Sequence, residues 1–253
     1  MEYGMKPSES GVFEGFAYHL WLPNDPGPRP AVIVLHGAGS RKENHADFAR
    51  VAAGQGFVAM TFDNRGHGET EGDLGPRALA DIGRLVRFLA DRPEVDEQRI
   101  ALRGSSMGGL FAIHVAAVTP RAAGVIAICP ASERLLLEDV RKVANGEPPQ
   151  PDSALASMRI DARGMAAWLE EHDVRQAVEL LGSKPLMLVH ARDDEVIPYR
   201  FSDELYERAE DPKRLLLLAG GDHRSAQHDT EIQGESLRWL AHQMHQAKAA
   251  RGG

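Results

Sequence analysis

Six short apolar runs recur along the chain, and turn residues bound each of them. Within a run the apolar positions are continuous and do not alternate with polar ones. Runs of this kind are typical of strands that a parallel sheet buries on both faces. The predicted strands are Ala31–Leu35, Phe57–Phe62, Ile100–Leu102, Val125–Ile128, Leu186–Val189 and Leu215–Ala219.

Helical spacing fills stretches between these runs. Residues 78–89 and residues 237–244 each place their apolar side chains on one stripe. Strands that alternate with helices predict βαβ units and a mostly parallel sheet with helices on both faces, which is the α/β fold class. The earlier segment Val12–Leu22 is rich in aromatic residues and precedes a Pro-rich turn. It predicts an antiparallel strand or hairpin at the sheet edge.

One connection is much longer than the others. A plain βαβ step takes about 30 residues, whereas 61 residues separate Val125 from Leu186. A loop-like centre, NGEPPQPDS, lies between two segments of helical character. We therefore predict a small helical lid at 132–183, inserted into a core formed by 1–131 and 184–253. A plain surface insertion is the alternative.

Composition narrows the class of protein. The 253 residues are 43% hydrophobic and 26% charged, with a formal net charge of −8 and interspersed signs. This pattern predicts a globular protein that binds neither nucleic acid nor an anionic membrane surface. The chain has a single cysteine, Cys129, and its first ten residues lack a secretory pattern. We expect a cytoplasmic protein, and the sequence does not predict its oligomeric state.

The strongest chemical signal is the segment Gly104-Ser105-Ser106-Met107-Gly108. It follows the strand RIAL and precedes an apolar helix. A serine becomes a good nucleophile when a tight strand-to-helix turn exposes it beside a base. The turn needs small residues two positions before and two after the serine, and only Ser106 has a glycine at both. Ser106 is therefore the predicted nucleophile.

A second signal is LHGAG at 35–39, directly after the strand AVIV. A tetrahedral intermediate needs two backbone N–H donors that point at its oxyanion. The residue after the nucleophile, Met107, and the loop residue Ala38 are the predicted donors. A dinucleotide-binding loop is the alternative. It is disfavoured because Lys42 occupies the position of the third glycine.

Three segments, HGAGS, FDNRGHGET at 62–70 and GSSMGG at 104–109, resemble the α/β-hydrolase family and its bacterial esterases. The resemblance implies an α/β-hydrolase fold and carboxylic ester hydrolysis, with no cofactor. It also implies that His36 and His67 are scaffold residues and not catalytic bases. Thr70 departs from the serine that usually ends the second segment.

The acid and the base should follow the nucleophile in that order. The segment HARDDEVIP at 190–198 resembles the family's H-G-x-x-D-x-x-V-P segment, which implies Asp194 as the acid. Alanine replaces its glycine, and the neighbouring Asp193 is the alternative. His223 follows two glycines after the last predicted strand and is the predicted base. His228 is the alternative, with a surface position as its plainer interpretation.

Other functions are less well supported. His242 and His245 are three residues apart, but no carboxylate accompanies them in a zinc motif, so no metal is expected. A peptidase or amidase with the same triad is the alternative enzyme, because a fold does not fix its substrate. A non-catalytic binding protein would be expected to have lost a triad member. A dienelactone hydrolase would be expected to use cysteine where Ser106 stands.

The partner expected from this interpretation is a small-molecule ester. Apolar residues of the predicted lid are candidates for an acyl pocket, although packing within the lid is an equally good explanation. These candidates are Leu135, Leu136, Leu137, Met158, Met165, Trp168 and Leu169.

Overall fold

A single eight-stranded sheet organises the chain. The computed structural model describes residues 6–252. Residues 1–5, on which the absence of a secretory signal partly rests, lie outside the described residues. The strands are β1 (Glu9–Phe13), β2 (Phe16–Trp21), β3 (Arg29–Leu35), β4 (Val58–Phe62), β5 (Val95–Ser105), β6 (Ala122–Ile128), β7 (Leu186–Ala191) and β8 (Lys213–Leu218). Each predicted apolar run lies in one of these strands or overlaps its end.

The strands lie in the order β1-β2-β4-β3-β5-β6-β7-β8. The hairpin of β1 and β2 is antiparallel and forms one edge of the sheet, whereas all pairs from β4 to β8 are parallel. The hairpin predicted at Val12–Leu22 and the α/β fold class are both confirmed. The carboxyl ends of β5, β7 and β8 consequently share one edge of the sheet.

Helices cover both faces of the sheet, as the continuous apolar strands require. The helices are α1 (Ala46–Gly54), α2 (Ala78–Ala90), α3 (Met107–Val118), α4 (Glu133–Ala144), α5 (Ala162–Glu171), α6 (Val174–Leu180), α7 (Arg200–Arg208), α8 (Ser225–His228) and α9 (Thr230–Gly252). On β3, Ile33 faces a core formed with α2 and α3, and Val34 faces the opposite core with α1 and α9.

The long connection between β6 and β7 contains α4, a 3₁₀ turn at Ala154–Ser157, α5 and α6. Helix α4 packs against α5, whereas α6 packs against α3 and α7. Val174 and Val178 of α6 are buried, so α6 is the crossover helix of the core. The part of 132–183 that does not form the crossover of the core therefore ends before α6. The lid interpretation and the domain limits remain predictions.

Backbone hydrogen bonds fasten this insertion to the loop after β4. The Leu74 amide donates to Arg159, and the Asp161 amide donates to Leu74. A side chain at Gly66 would collide with the Arg159 carbonyl, since an added Cβ would lie 1.9 Å from its oxygen. Within the described residues, no helix has both the length and the apolarity needed to cross a bilayer.

Candidate active site

Ser106 lies in a sharp turn between β5 and α3. Its backbone has φ 53° and ψ −121°, a conformation that non-glycine residues rarely adopt. Hydrogen bonds hold it there, since its amide donates to Ile128 and its carbonyl accepts from Leu110 and Ala131. Strained residues of this kind persist only where the surrounding structure fixes them.

Gly104 and Gly108 are required by close backbone contacts. A Cβ at Gly104 would lie 2.1 Å from the Gly108 carbonyl oxygen, and one at Gly108 would lie 2.1 Å from the Leu35 carbonyl oxygen. Ser105, in contrast, is still a residue of β5 and pairs with Ile128. Both serines line the same cavity, but only Ser106 has the strained backbone of the turn.

His223 and Asp194 form a hydrogen-bonded pair at the carboxyl ends of β8 and β7. The Nδ1–H of His223 donates to Asp194 Oδ2 over 2.8 Å, and the ring is 14% exposed. Asp193 is exposed, and no hydrogen bond or ion pair involves its side chain within the described residues. The geometry therefore brings together His223 and Asp194, not Asp193.

The Asp194 carboxylate is buried and fully bonded. Its Oδ1 accepts from the amides of Val196 and Ile197 at 2.9 and 2.8 Å. Burial by itself would raise the pKa of Asp194, but the Ile197 amide and His223 lower it below its ordinary value. The group is consequently an anion that can orient and stabilise the imidazole.

His228 is separate from this pair. It ends α8, and its Nδ1–H donates to Asp47 Oδ2 over 2.8 Å. Its ring lines the same cavity as His223. The alternative base is thus neither buried nor bonded to the predicted acid.

The two predicted oxyanion donors come from two different segments of the chain. Met107 begins α3, and Ala38 lies in the loop after β3. Across residues 6–252, neither amide donates to a protein acceptor. Two unpaired N–H groups beside a strained serine are the arrangement that a developing oxyanion requires.

His36 and His67 support this loop. His67 Nε2 accepts from the Gly39 amide at 3.1 Å, and His36 Nε2 accepts from the Asn64 amide at 3.0 Å. Burial lowers the pKa of both rings, that of His36 to about 4. Both are neutral at physiological pH, and their nitrogens are occupied by backbone groups. This is the geometry of scaffold residues.

A cavity of about 690 Å³ opens onto the Ser106 side chain. The α4 segment lines one side with Leu135, Leu136 and Val140, and the 3₁₀ turn adds Leu155. The insertion therefore faces Ser106 across this cavity. A volume of this size suits a small-molecule ligand.

The fold has many counterparts among solved structures. The α/β hydrolase GrgF from Penicillium sp. sh18 aligns with a TM-score of 0.76 at 21% identity, covering 94% of this chain and 98% of its own. A family model described as serine aminopeptidase, S33, matches residues 26–148. The chain belongs to the α/β-hydrolase superfamily. It is a hydrolase, and the predicted family resemblance and fold are confirmed.

Two further proteins are similar to this hydrolase, one named for its activity and one solved with a bound compound. The 2,6-dihydropseudooxynicotine hydrolase of Paenarthrobacter nicotinovorans is 29% identical over 212 residues, which cover 81% of this chain and 55% of that protein. Est1E from Butyrivibrio proteoclasticus, solved with ferulic acid, aligns with a TM-score of 0.76 at 22% identity, covering 94% of this chain and 100% of its own.

Sequence reasoning missed two groups that hold the hydrolase site in place. His190 Nε2 lies 2.9 Å from the Ile197 carbonyl oxygen and 3.2 Å from Asp194 Oδ2. It therefore stabilises the loop after β7 that carries Asp194. The buried amine of Lys42 lies 2.9 Å from Asp63 Oδ2 and 2.5 Å from Glu69. The first residue of HARDDEVIP was a usable signal for His190, but nothing in the sequence marks Lys42 as buried.

One set of side chains has the geometry of a metal site. Ligand atoms of Cys129, His190 and Asp194 lie within 4.8 Å of one another. Burial raises the pKa of the Cys129 thiol to about 12, so the thiol stays protonated. His190 and Asp194 are already engaged in hydrogen bonds. These three side chains are better explained as a hydrogen-bonded support of the loop that carries Asp194 than as a cation site.

Proposed function

We propose that this hydrolase cleaves carboxylic esters through an acyl-enzyme formed on Ser106. The main support is that the strained Ser106 and His223 line one cavity together with Ala38, while the buried Asp194 is hydrogen-bonded to His223. Each group has the type and the surroundings that nucleophilic acyl transfer requires.

In the first half of the reaction, Ser106 Oγ attacks the ester carbonyl carbon while His223 Nε2 takes the hydroxyl proton. The Ala38 and Met107 amides donate to the oxyanion of the tetrahedral intermediate. Asp194 holds the imidazole in the Nδ1–H tautomer and stabilises the imidazolium. When the intermediate collapses, His223 returns the proton to the leaving alcohol oxygen, and Ser106 carries the acyl group.

In the second half, a water molecule attacks the acyl carbonyl and gives its proton to His223. The second tetrahedral intermediate collapses, and His223 protonates the Ser106 oxygen as it leaves. The products are a carboxylic acid and an alcohol, and the protein returns to its starting state. The overall reaction consumes one water per ester.

A peptidase or amidase is the second candidate. The match to a model described as serine aminopeptidase favours it, as do the carboxylates of Asp139, Asp152 and Glu195 on the cavity wall, which suit a substrate ammonium group. Comparing phenyl acetate with aminoacyl p-nitroanilides separates the two activities. A non-catalytic binding role would give neither.

The deciding experiment compares Ser106→Ala with Ser105→Ala. Ser106→Ala should lower kcat on phenyl acetate by about a thousandfold or more, because the nucleophile is lost. Ser105→Ala is the matched control and should stay within a few-fold of the unmodified protein. A fluorophosphonate should label Ser106. Labelling of Ser105, or full ester hydrolysis by Ser106→Ala, would contradict the proposal.

The remaining expectations belong to this proposal. The partner is a small-molecule ester, with no nucleic acid or membrane partner, and the protein acts in the cytoplasm. Cell fractionation followed by immunoblotting tests the location. Recovery in the membrane or secreted fraction would contradict it.

A further inference from the structure

The proposed site has two unequal compartments. Beside the 690 Å³ cavity lies a second one of about 30 Å³, and both are lined by Ala38, Leu136, Val140 and Leu155. Every residue that lines the small cavity is apolar, and Met107 is one of them. The small compartment therefore lies beside the two residues whose amides are the proposed oxyanion donors.

The chemistry assigns one half of the ester to each compartment. His223 must protonate the leaving alcohol oxygen, so the alcohol half lies on the side of His223. His223 lines the large cavity but not the small one. The acyl half then extends past Ala38 and Met107 into the small apolar cavity. A volume of this size has room for about two water-sized groups, which corresponds to a short acyl chain.

The large cavity has a polar wall next to His223. Asn44, Arg224, Gln227 and His228 line it. The Arg224 guanidinium forms no hydrogen bond or ion pair within the described part of the chain, although its charge contributes to lowering the pKa of the nearby Asp222 carboxyl. An alcohol half that lies against this wall meets hydrogen-bonding groups. This wall favours an alcohol with hydroxyl groups over a plain alkyl alcohol.

His228 is the most firmly oriented member of this wall. Asp47 Oδ2 accepts from His228 Nδ1 and also from Gln233 Nε2, each over 2.8 Å. The ring is 44% exposed, and in residues 6–252 its Nε2 has no protein partner. A ring with one nitrogen anchored by a carboxylate and the other open to a cavity is prepared to bind a substrate group.

We infer that the substrates are esters of a short acyl group with a hydroxyl-bearing alcohol, and that His228, held by Asp47, binds a hydroxyl of the alcohol. This inference rests on the proposed ester hydrolysis and names its substrate class. Asp47 acts through His228 and is a positioning residue.

The test measures kcat/KM for glycerol 1-acetate and for 1-butyl acetate. These two esters share the acyl group, and their alcohol halves are of similar size. The unmodified protein should prefer the glycerol ester by about three- to tenfold, the worth of one or two hydrogen bonds to uncharged groups. In His228→Phe the ratio should fall to about one. His228→Gln, which keeps a hydrogen-bonding group, should retain part of the preference. His245→Phe alters an exposed histidine outside both cavities and should keep the full ratio.

The outcomes separate this inference from the proposed function. If the unmodified protein hydrolyses both esters without preference, or if His228→Phe and His228→Gln keep the preference, the inference is wrong and ester hydrolysis stands. If Ser106-dependent hydrolysis of phenyl acetate is absent, the proposed function fails and the inference fails with it.

Discussion

The Asp194 carboxylate shows how one residue can be fixed from several directions. Its Oδ1 accepts two amides of its own loop, and its Oδ2 lies 2.8 Å from His223 and 3.2 Å from His190. A carboxylate has about four acceptor positions, so this one is saturated. Its orientation, and with it that of the His223 ring, is set by the backbone of the loop.

We expect Asp194→Asn to lower kcat by about four powers of ten, as the loss of a triad acid does elsewhere. The amide would present a donor to the histidine nitrogens and favour the wrong tautomer. Asp193→Asn is the matched control, because its carboxylate is exposed at the neighbouring position. Steady-state kinetics on phenyl acetate checks both. A larger loss in Asp193→Asn would move the acid to that residue.

At this scale, residue type and spacing single out Ser106 and His223 as candidates, and their catalytic roles remain predictions. The glycines two positions before and two after Ser106 mark the tight turn in the sequence. A side chain at either position would collide with the backbone. The choice between Asp193 and Asp194 is different, because it depends on which side chain the turn aims inward. The burial of Lys42 cannot be predicted either, because two of the three carboxylates that surround its amine, Asp63 and Glu69, are distant in sequence.

At the scale of helices and strands, buried strands were the easiest elements to predict. Their continuous apolar runs reflect burial on both faces, which few other structures require. The helices of the insertion were harder to separate. The segment GMAAWLEEHDVRQAVELLG has one helical pattern but contains α5 and α6, because Asp173 caps a new helix by accepting from the Arg175 amide. Apolar stripes do not reveal whether a helix packs on the sheet or over the site.

Trp168 illustrates this limit. The sequence suggested it as an acyl-pocket residue, but its ring stacks on His172 and packs edge-on against Phe111 and His114. It lines neither cavity beside Ser106. Met158, Met165 and Leu169, which the sequence suggested with equal weight, do line the small cavity.

We therefore expect Met158→Ala to enlarge the small cavity and to admit longer acyl chains. The ratio of kcat/KM for p-nitrophenyl hexanoate to that for the acetate should rise by about tenfold, since each methylene buried is worth about 0.8 kcal/mol. Met158 is only half-buried, so the protein should stay folded. Trp168→Ala is the comparison variant. It should lower the melting temperature without changing the ratio, and the opposite pattern would contradict the assignment of the small cavity.

At the scale of the whole molecule, the sheet assembles a site from distant segments. Ser106, Asp194 and His223 follow β5, β7 and β8, whose carboxyl ends meet at one edge. The same assembly buries histidines that are far apart in sequence. Burial lowers the pKa of His36, His45, His67 and His190, and for His36 the value is about 4.

These buried histidines make stability depend on pH in a defined window. An unfolded histidine has a pKa of about 6.5, so between pH 6.5 and 4 the unfolded chain binds protons that the folded chain does not. The free energy of unfolding must then decrease as the pH falls through this window. Carboxylates such as Asp63 have a lowered pKa, and their contribution is lost only below about pH 4.

The prediction is that the free energy of unfolding falls steadily between about pH 7 and pH 5, with about 2 kcal/mol of the loss due to His36 alone. Urea unfolding followed by tryptophan fluorescence measures it. In His36→Asn the slope at about pH 5.5 should be smaller by nearly one proton, even though the variant is less stable at every pH. His245→Asn is the matched control, because it removes an exposed histidine from the surface and should leave the slope unchanged. A stability that is constant from pH 7 to 5, or an equal change of slope in both variants, would mean that the buried rings are protonated in the folded protein. In that case His36 would not be a neutral ring that accepts from the Asn64 amide. The support that we assign to it for the loop of Ala38 would then be wrong.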